Sequence, residues 1–283
     1  CIDNSDIQAG NVQVIADDDS SVAAHAEAAA LAASNGLSVA GGGAATTITG
    51  GNAVMAHVTG SDDDDMLNLY GDLTVHATAS TDYAGDVGVA SVALGMYSLA
   101  ASGGVVIISA TPDVSASVSG VTVFADEMDV AAVGRIRTNG TAWGMSVSTG
   151  LSMGASTVTV TTDADVDASA GGENDVFYVS ALRVAATAED NPAAPGMTGE
   201  AKATASAGGL LLGTTSTYAS ALNQNTVTSE ILDGTYVRAS GTVSVQATNE
   251  LQQRAEANSA AYGLVGAGAS IADAVSNTVT LAT

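Results

Sequence analysis

Apolar and polar residues alternate with a period of two along most of this chain, the spacing of a half-buried β-strand rather than of a helix. Ala201-Lys-Ala203-Thr-Ala205-Ser-Ala207 is a clear run, as are Val121-Thr-Val123 and Val158-Thr-Val160. One face of such a strand is small and apolar; the other carries Thr, Ser, Lys or Asp, and Thr and Val suit a pleated surface. Glycine pairs and triplets, Gly41-Gly42-Gly43, Gly103-Gly104, Gly171-Gly172 and Gly208-Gly209, mark turns or close backbone approach. Two stretches, Val22 to Ala33 and Glu250 to Ala261, favour helix by intrinsic propensity. Their counterparts around Gly85-Asp-Val87-Gly-Val89 and Trp143-Gly-Met145 are too rich in Gly and β-branched residues for that. The strand reading is therefore applied to all of them.

The strand signals recur. An opening run leads with Val12, Leu73, Met128, Leu182 and Val243, in steps of 61, 55, 54 and 61 residues. A closing run follows at Val54, Val114, Val166, Val227 and Val279. Self-similarity at this period marks a stacked array, because one unit cannot bury its apolar face alone. The expectation is an all-β, repetitive β-solenoid with a thin Ala/Val/Gly core. It forms a single array of five units, about 1–58, 59–118, 119–170, 171–231 and 232–283. The acidic run at 61–65 and the Pro-containing stretch at 190–196 lengthen two connections and read as surface loops. Asn35-Gly36 is a hairpin cue and the one signal for an antiparallel rival. It occurs in a single unit, so parallel stacking is preferred.

Composition sharpens this picture. Hydrophobic residues make up 46% of the chain but aromatics only 4%, so the interior must be filled by Ala, Val, Ile, Leu and Gly. That apolar content argues against disorder. Thirty acidic residues against six basic ones give a net charge of -24, which repels nucleic acid and anionic membranes and attracts cations. No uninterrupted apolar run reaches the roughly 18 residues of a membrane span. The single cysteine, Cys1, has no partner for an internal disulfide. It reads as the place where the sequence begins rather than as a lipid-modified terminus.

Candidate chemistry is sparse. Asp62, Asp63, Asp64 and Asp65 form one acidic run; Asp163, Asp165 and Asp167 alternate so that a strand would put three carboxylates on one face. Both groups are candidate calcium ligands, since calcium takes six to eight oxygens. No EF-hand loop or Gly-Gly-x-Gly-x-Asp repeat accompanies them. His25, His57 and His76 match no zinc spacing and read as outward, solvated rings. Trp143, in step with Met145 and Val147, reads as a packing residue rather than a sugar platform. Nucleophile elbows, Walker loops and His-Glu-x-x-His are missing, and six basic residues with one Trp make a poor sugar-cleaving cleft. Asn139-Gly140-Thr141 is a glycosylation sequon of low specificity.

The Gly241-Thr-Val-Ser-Val-Gln-Ala247 opening, the small-residue stretch Gly266-Ala-Gly-Ala-Ser-Ile271 and Asn277-Thr-Val-Thr280 resemble the repeat regions of large bacterial surface adhesins, the filamentous "beta strand repeat" class. The resemblance implies an extracellular stalk, adhesin or filament segment at the bacterial cell surface, without catalytic residues. Its implied partners are further copies of itself, end to end, and surface glycans. A carbohydrate-active β-helix enzyme and a calcium-stabilised matrix module are the alternatives.

Overall fold

The computed structural model describes residues 1–60, 65–192 and 197–283. The alternating runs become strands, and no helix forms among the described residues. After β1 (Ile2–Asp3), the chain makes a circuit of β2 (Ile7–Ala9), β3 (Val12–Ala33), β4 (Leu37–Gly50) and β5 (Ala53–Thr59). It continues through β6 (Met66–Leu69), β7 (Leu73–Leu94), β8 (Tyr97–Ala110) and β9 (Asp113–Ser119). The third pass is β10 (Thr122–Ser148), β11 (Leu151–Thr162) and β12 (Asp165–Ala170). The fourth is β13 (Val176–Asp190), β14 (Gly199–Gly209), β15 (Leu212–Asn223) and β16 (Thr226–Ile231). The last is β17 (Tyr236–Ala239), β18 (Val243–Asn249), β19 (Gln253–Tyr262), β20 (Val265–Ser276) and β21 (Val279–Ala282).

Three sheets collect these strands. A broad sheet takes β2, β3, β6, β7, β10, β13, β14, β17, β18 and β19; a return sheet takes β4, β8, β11, β15 and β20; a short sheet takes β1, β5, β9, β12, β16 and β21. Every pairing is parallel. Asn35 and Gly36 do not close a hairpin: they lie in the turn between β3 and β4, which belong to different sheets.

The pairing register follows the spacing of the opening runs. Val12, Leu73, Met128, Leu182 and Val243 stand in one column, each beside the next. Val54, Val114, Val166 and Val227 form a second column in the short sheet. The two long connections enter as jumps in separation. Ile2 pairs with Val58 and Ile7 with Leu67, a change from 56 to 60 residues that spans the acidic run. Ile136 pairs with Asp190 and Thr138 with Gly199, a change from 54 to 61.

Alternation then builds the core. The short sheet faces the first part of the broad sheet, and Val114, Val166 and Val227 meet Val75, Val130, Val184, Leu182 and the fully buried Phe177. The return sheet faces the second part, where Val87, Val106, Ile108, Val158 and Val160 pack on Ala142, Ala201 and Ala203. Farther out the two layers draw closer, and the buried side chains shrink to Ala40, Ala93, Ala100 and several serines. A Cβ on Gly144 would lie 2.8 Å from the Ala155 carbonyl oxygen of the facing layer, so only glycine fits there. This outer part of the interior is sized for side chains of no more than a few atoms.

Candidate functional site

Alternation on β12 points Val166 and Ala168 inward and Asp165 and Asp167 outward. Parallel pairing puts Asp165 directly beside Asp113 of β9, and Asp163 sits in the bend just before β12. Strand neighbours are about 4.8 Å apart, so these carboxylates share one field. Partial burial, then the charges of Asp113 and Asp163, raises the pKa of Asp165 above the ordinary carboxylate value. Partial burial, then Asp165, does the same for Asp167, opposed by a hydrogen bond from Thr228. Mutual repulsion of this kind is what a bound cation would relieve. Three of the expected calcium ligands are therefore brought together, with Asp113 as a fourth carboxylate that the sequence reading left out. Its signal was present: Asp113 precedes Val114 as Asp165 precedes Val166.

Asp62, Asp63 and Asp64 lie outside the described residues. Asp65 stands just before β6, at the opposite end of the short-sheet strands from Asp163, and its carbonyl accepts a bond of 2.9 Å from the Thr122 amide. It does not join the group around Asp165.

The three histidines are outward, as their alternation implies, but they are not simply solvated. His25 Nδ1 lies 3.0 Å from Asp86 and its Nε2 3.1 Å from Glu27. His76 Nε2 lies 2.9 Å from Asp129, which also accepts a 2.9 Å bond from Arg183. His57 lies 3.7 Å from Asp3, and with Cys1 these two place three potential metal donors within 4.8 Å of one another. Most of these partners sit one circuit away in sequence, so no local motif announces them.

All six basic residues, Arg135, Arg137, Arg183, Lys202, Arg238 and Arg254, belong to broad-sheet strands. Arg135 binds Glu189 at 2.8 Å and Arg137 binds Asp82 at 2.9 Å, each across neighbouring strands. Beside the second pair, a shallow hollow of ≈ 240 Å³ opens over Ala23, Ala84, His25, Asp86, Asn139 and Thr141. Trp143 follows on the same outward face. It is 39% exposed and its indole lies over Gly88, so the packing role expected for it is not the one it has. The inward positions on either side are Ala142 and Gly144; a layer this thin leaves no room for an indole.

No family model, curated protein or solved structure matches this chain. The arrangement offers ladders of charge on two outward faces and, among the described residues, hollows that are shallow and open.

Proposed function

We propose that this chain is a β-solenoid of five circuits that serves as a structural segment of an extracellular bacterial stalk or filament, related to the repeat regions of surface adhesins. One observation carries the reading: parallel ladders run through all the circuits, and among the described residues nothing pairs with the outer edge of β3 and β4 at one end or of β19 and β20 at the other. Open strand edges are templates for further strands, whether from the same chain or from another copy. A head-to-tail contact of this kind repeats without closing and produces a filament.

The end rungs complement each other when the observed register is continued from one copy to the next. The column His25, Asp86, Thr141, Lys202 and Glu256 would set Glu256 against the His25 of the following copy. The column Asp18, Ala79, Gly134, Ala188 and Asn249 would set Asn249 against Asp18. Asn249 Nδ2 is buried and has no hydrogen-bond partner among the described residues, and Asp18 supplies an acceptor. These groups favour stacking by hydrogen bonding at two points of the same contact.

The test is electron microscopy of the purified chain across a concentration series. Rods that lengthen with concentration support the reading, and His25→Asp, which would place two carboxylates in the contact, should raise the concentration needed by about tenfold. Particles of fixed size at all concentrations would refute it.

A further inference from the structure

The outer face of the return sheet is unlike the rest of the molecule. Its strands, β4, β8, β11, β15 and β20, contain no Lys, Arg, His or Glu and a single carboxylate, Asp273, in a chain that carries 30 acidic residues. The outward positions are instead Val39, Leu99, Leu151, Leu212 and Val265 along one ridge, with Leu37 and Tyr97 paired beside it. Val105, Tyr218 and Ile271 form a second ridge. Several are well exposed, Leu37 at 72% and Ile271 at 59%. Between the ridges run Gly41, Gly43, Ala101, Gly103 and Ala155, and the groove they leave holds a hollow of ≈ 410 Å³ beside Met153 and Ser216.

We propose that this face docks a second copy of the chain, return sheet against return sheet. Three arguments select that occupant. The first is size. Strands of 12 to 14 residues, five abreast, cover roughly 40 Å by 20 Å, or about 800 Å². A standard protein interface takes about 800 Å² from each partner. The second is charge. Two chains of net charge -24 repel each other wherever carboxylates meet. The broad sheet exposes Asp and Glu, and so does the short sheet around Asp165; the return sheet alone lets copies approach with their charges turned away. The third is shape. A ridge beside a groove of matching length is self-complementary, as a two-fold interface requires, and sheets pack face to face at about 10 Å with side chains interdigitated.

The apolar surface also continues round the edge into the turns. Leu37, Met96, Tyr97, Leu99, Leu151 and Leu211 line a hollow of ≈ 260 Å³ there. The contact is lateral, so it is independent of end-to-end stacking and joins two rods side by side if both occur.

Sedimentation equilibrium on the full chain tests this, with circular dichroism as the check on folding. Below the concentration at which rods grow, the wild type should sediment at twice its 27.5 kDa mass. Val105→Glu with Met153→Glu should give monomer with an unchanged β spectrum. Ile15→Glu, on the broad sheet, should leave the pair intact. Should the glutamates unfold the chain, Val105→Thr with Met153→Gln retains strand propensity and should weaken pairing at least tenfold. A wild-type monomer at 100 µM overturns the proposal, as does a dimer indifferent to the return-sheet changes. Association abolished by His25→Asp but not by these variants likewise overturns it. So does binding to phosphatidylcholine vesicles that the return-sheet variants abolish while the wild type stays monomeric, since lipid is then the occupant.

Discussion

Ser91 and Ser146 are neighbours across β7 and β10, both fully buried, and neither hydroxyl has a hydrogen-bond partner among the described residues. Ser38, Ser102, Ser152 and Thr215 share that condition in the narrow part of the core. The layers are close there, as the 2.8 Å approach of a Cβ on Gly144 to the Ala155 carbonyl shows, and leave no space for larger side chains. Serine satisfies the volume and loses the hydrogen bond. An unpaired buried hydroxyl costs about 1–3 kcal/mol, whereas alanine fills nearly the same space without that penalty. Ser91→Ala and Ser146→Ala should therefore each stabilise the fold, by about 1 kcal/mol, raising the midpoint of a urea titration with an unchanged slope. A loss of stability in both would show that the hydroxyls are paired after all.

At the scale of the strand, the charge on β12 has a sign that can be worked out. Asp165 and Asp167 have pKa values raised in the folded state, by partial burial first and neighbouring carboxylates second. Between the ordinary carboxylate pKa and the raised value the folded chain binds more protons than the unfolded chain, so stability falls as pH rises through that window. Above it the cost is fully present; below the ordinary pKa it is absent. Asp165→Asn with Asp167→Asn should raise the melting midpoint at pH 7, and the advantage over wild type should vanish as the pH is lowered toward 4. Calcium that occupies this stripe should raise the wild-type midpoint and leave the double variant unmoved, because a ligand bound only to the folded state stabilises it. An advantage that persists at low pH would locate the effect elsewhere.

The same strand scale shows what could be read from the sequence. The opening register was legible because Leu73, Met128 and Leu182 in the middle of the column are buried, and a slip of one residue would turn each to solvent. The closing register fails in the last circuit. Matching Asn277-Thr-Val279 to Asn225-Thr-Val227 aligns Val279 with Val227, yet Val279 pairs with Thr226 and Thr280 with Val227. At the terminal rung Val279 is 59% exposed, so burial does not enforce the alignment there. Trp143 misled for a related reason. Large apolar residues usually mark the inward face, but here the inward face is Gly140, Ala142 and Gly144 and the larger side chains are displaced outward. The carboxylate partner of His25 was within reach, since a step of 61 residues from His25 lands on Asp86. The Cys1, Asp3 and His57 grouping was not: it depends on a pairing, Ile2 with Val58, whose step differs from those of the opening runs.

Across the whole molecule, the net charge of -24 opposes every contact between copies, and the two proposed contacts feel it differently. End-to-end stacking brings rungs to strand spacing, about 4.8 Å, well inside the Debye length of about 8 Å at 0.15 M salt. Continuing the register there also sets Asp17 against Thr248 and Asp18 against Asn249, so the local pairs are tolerable and the repulsion comes from the acidic surroundings. Raising sodium chloride from 20 mM to 500 mM should screen that repulsion and lower the concentration for rod growth by about tenfold, a change worth ~1.4 kcal/mol. The return-sheet contact keeps its charges at the periphery and buries apolar surface, so its dissociation constant should change less over the same range. Measured together, rod length by electron microscopy and mass by sedimentation should separate with salt, filaments growing while the side-by-side pair holds. Rods that shorten as salt is added would mean that the end contact is held by attraction between opposite charges, and that the repulsion of the surrounding carboxylates is too weak to govern assembly.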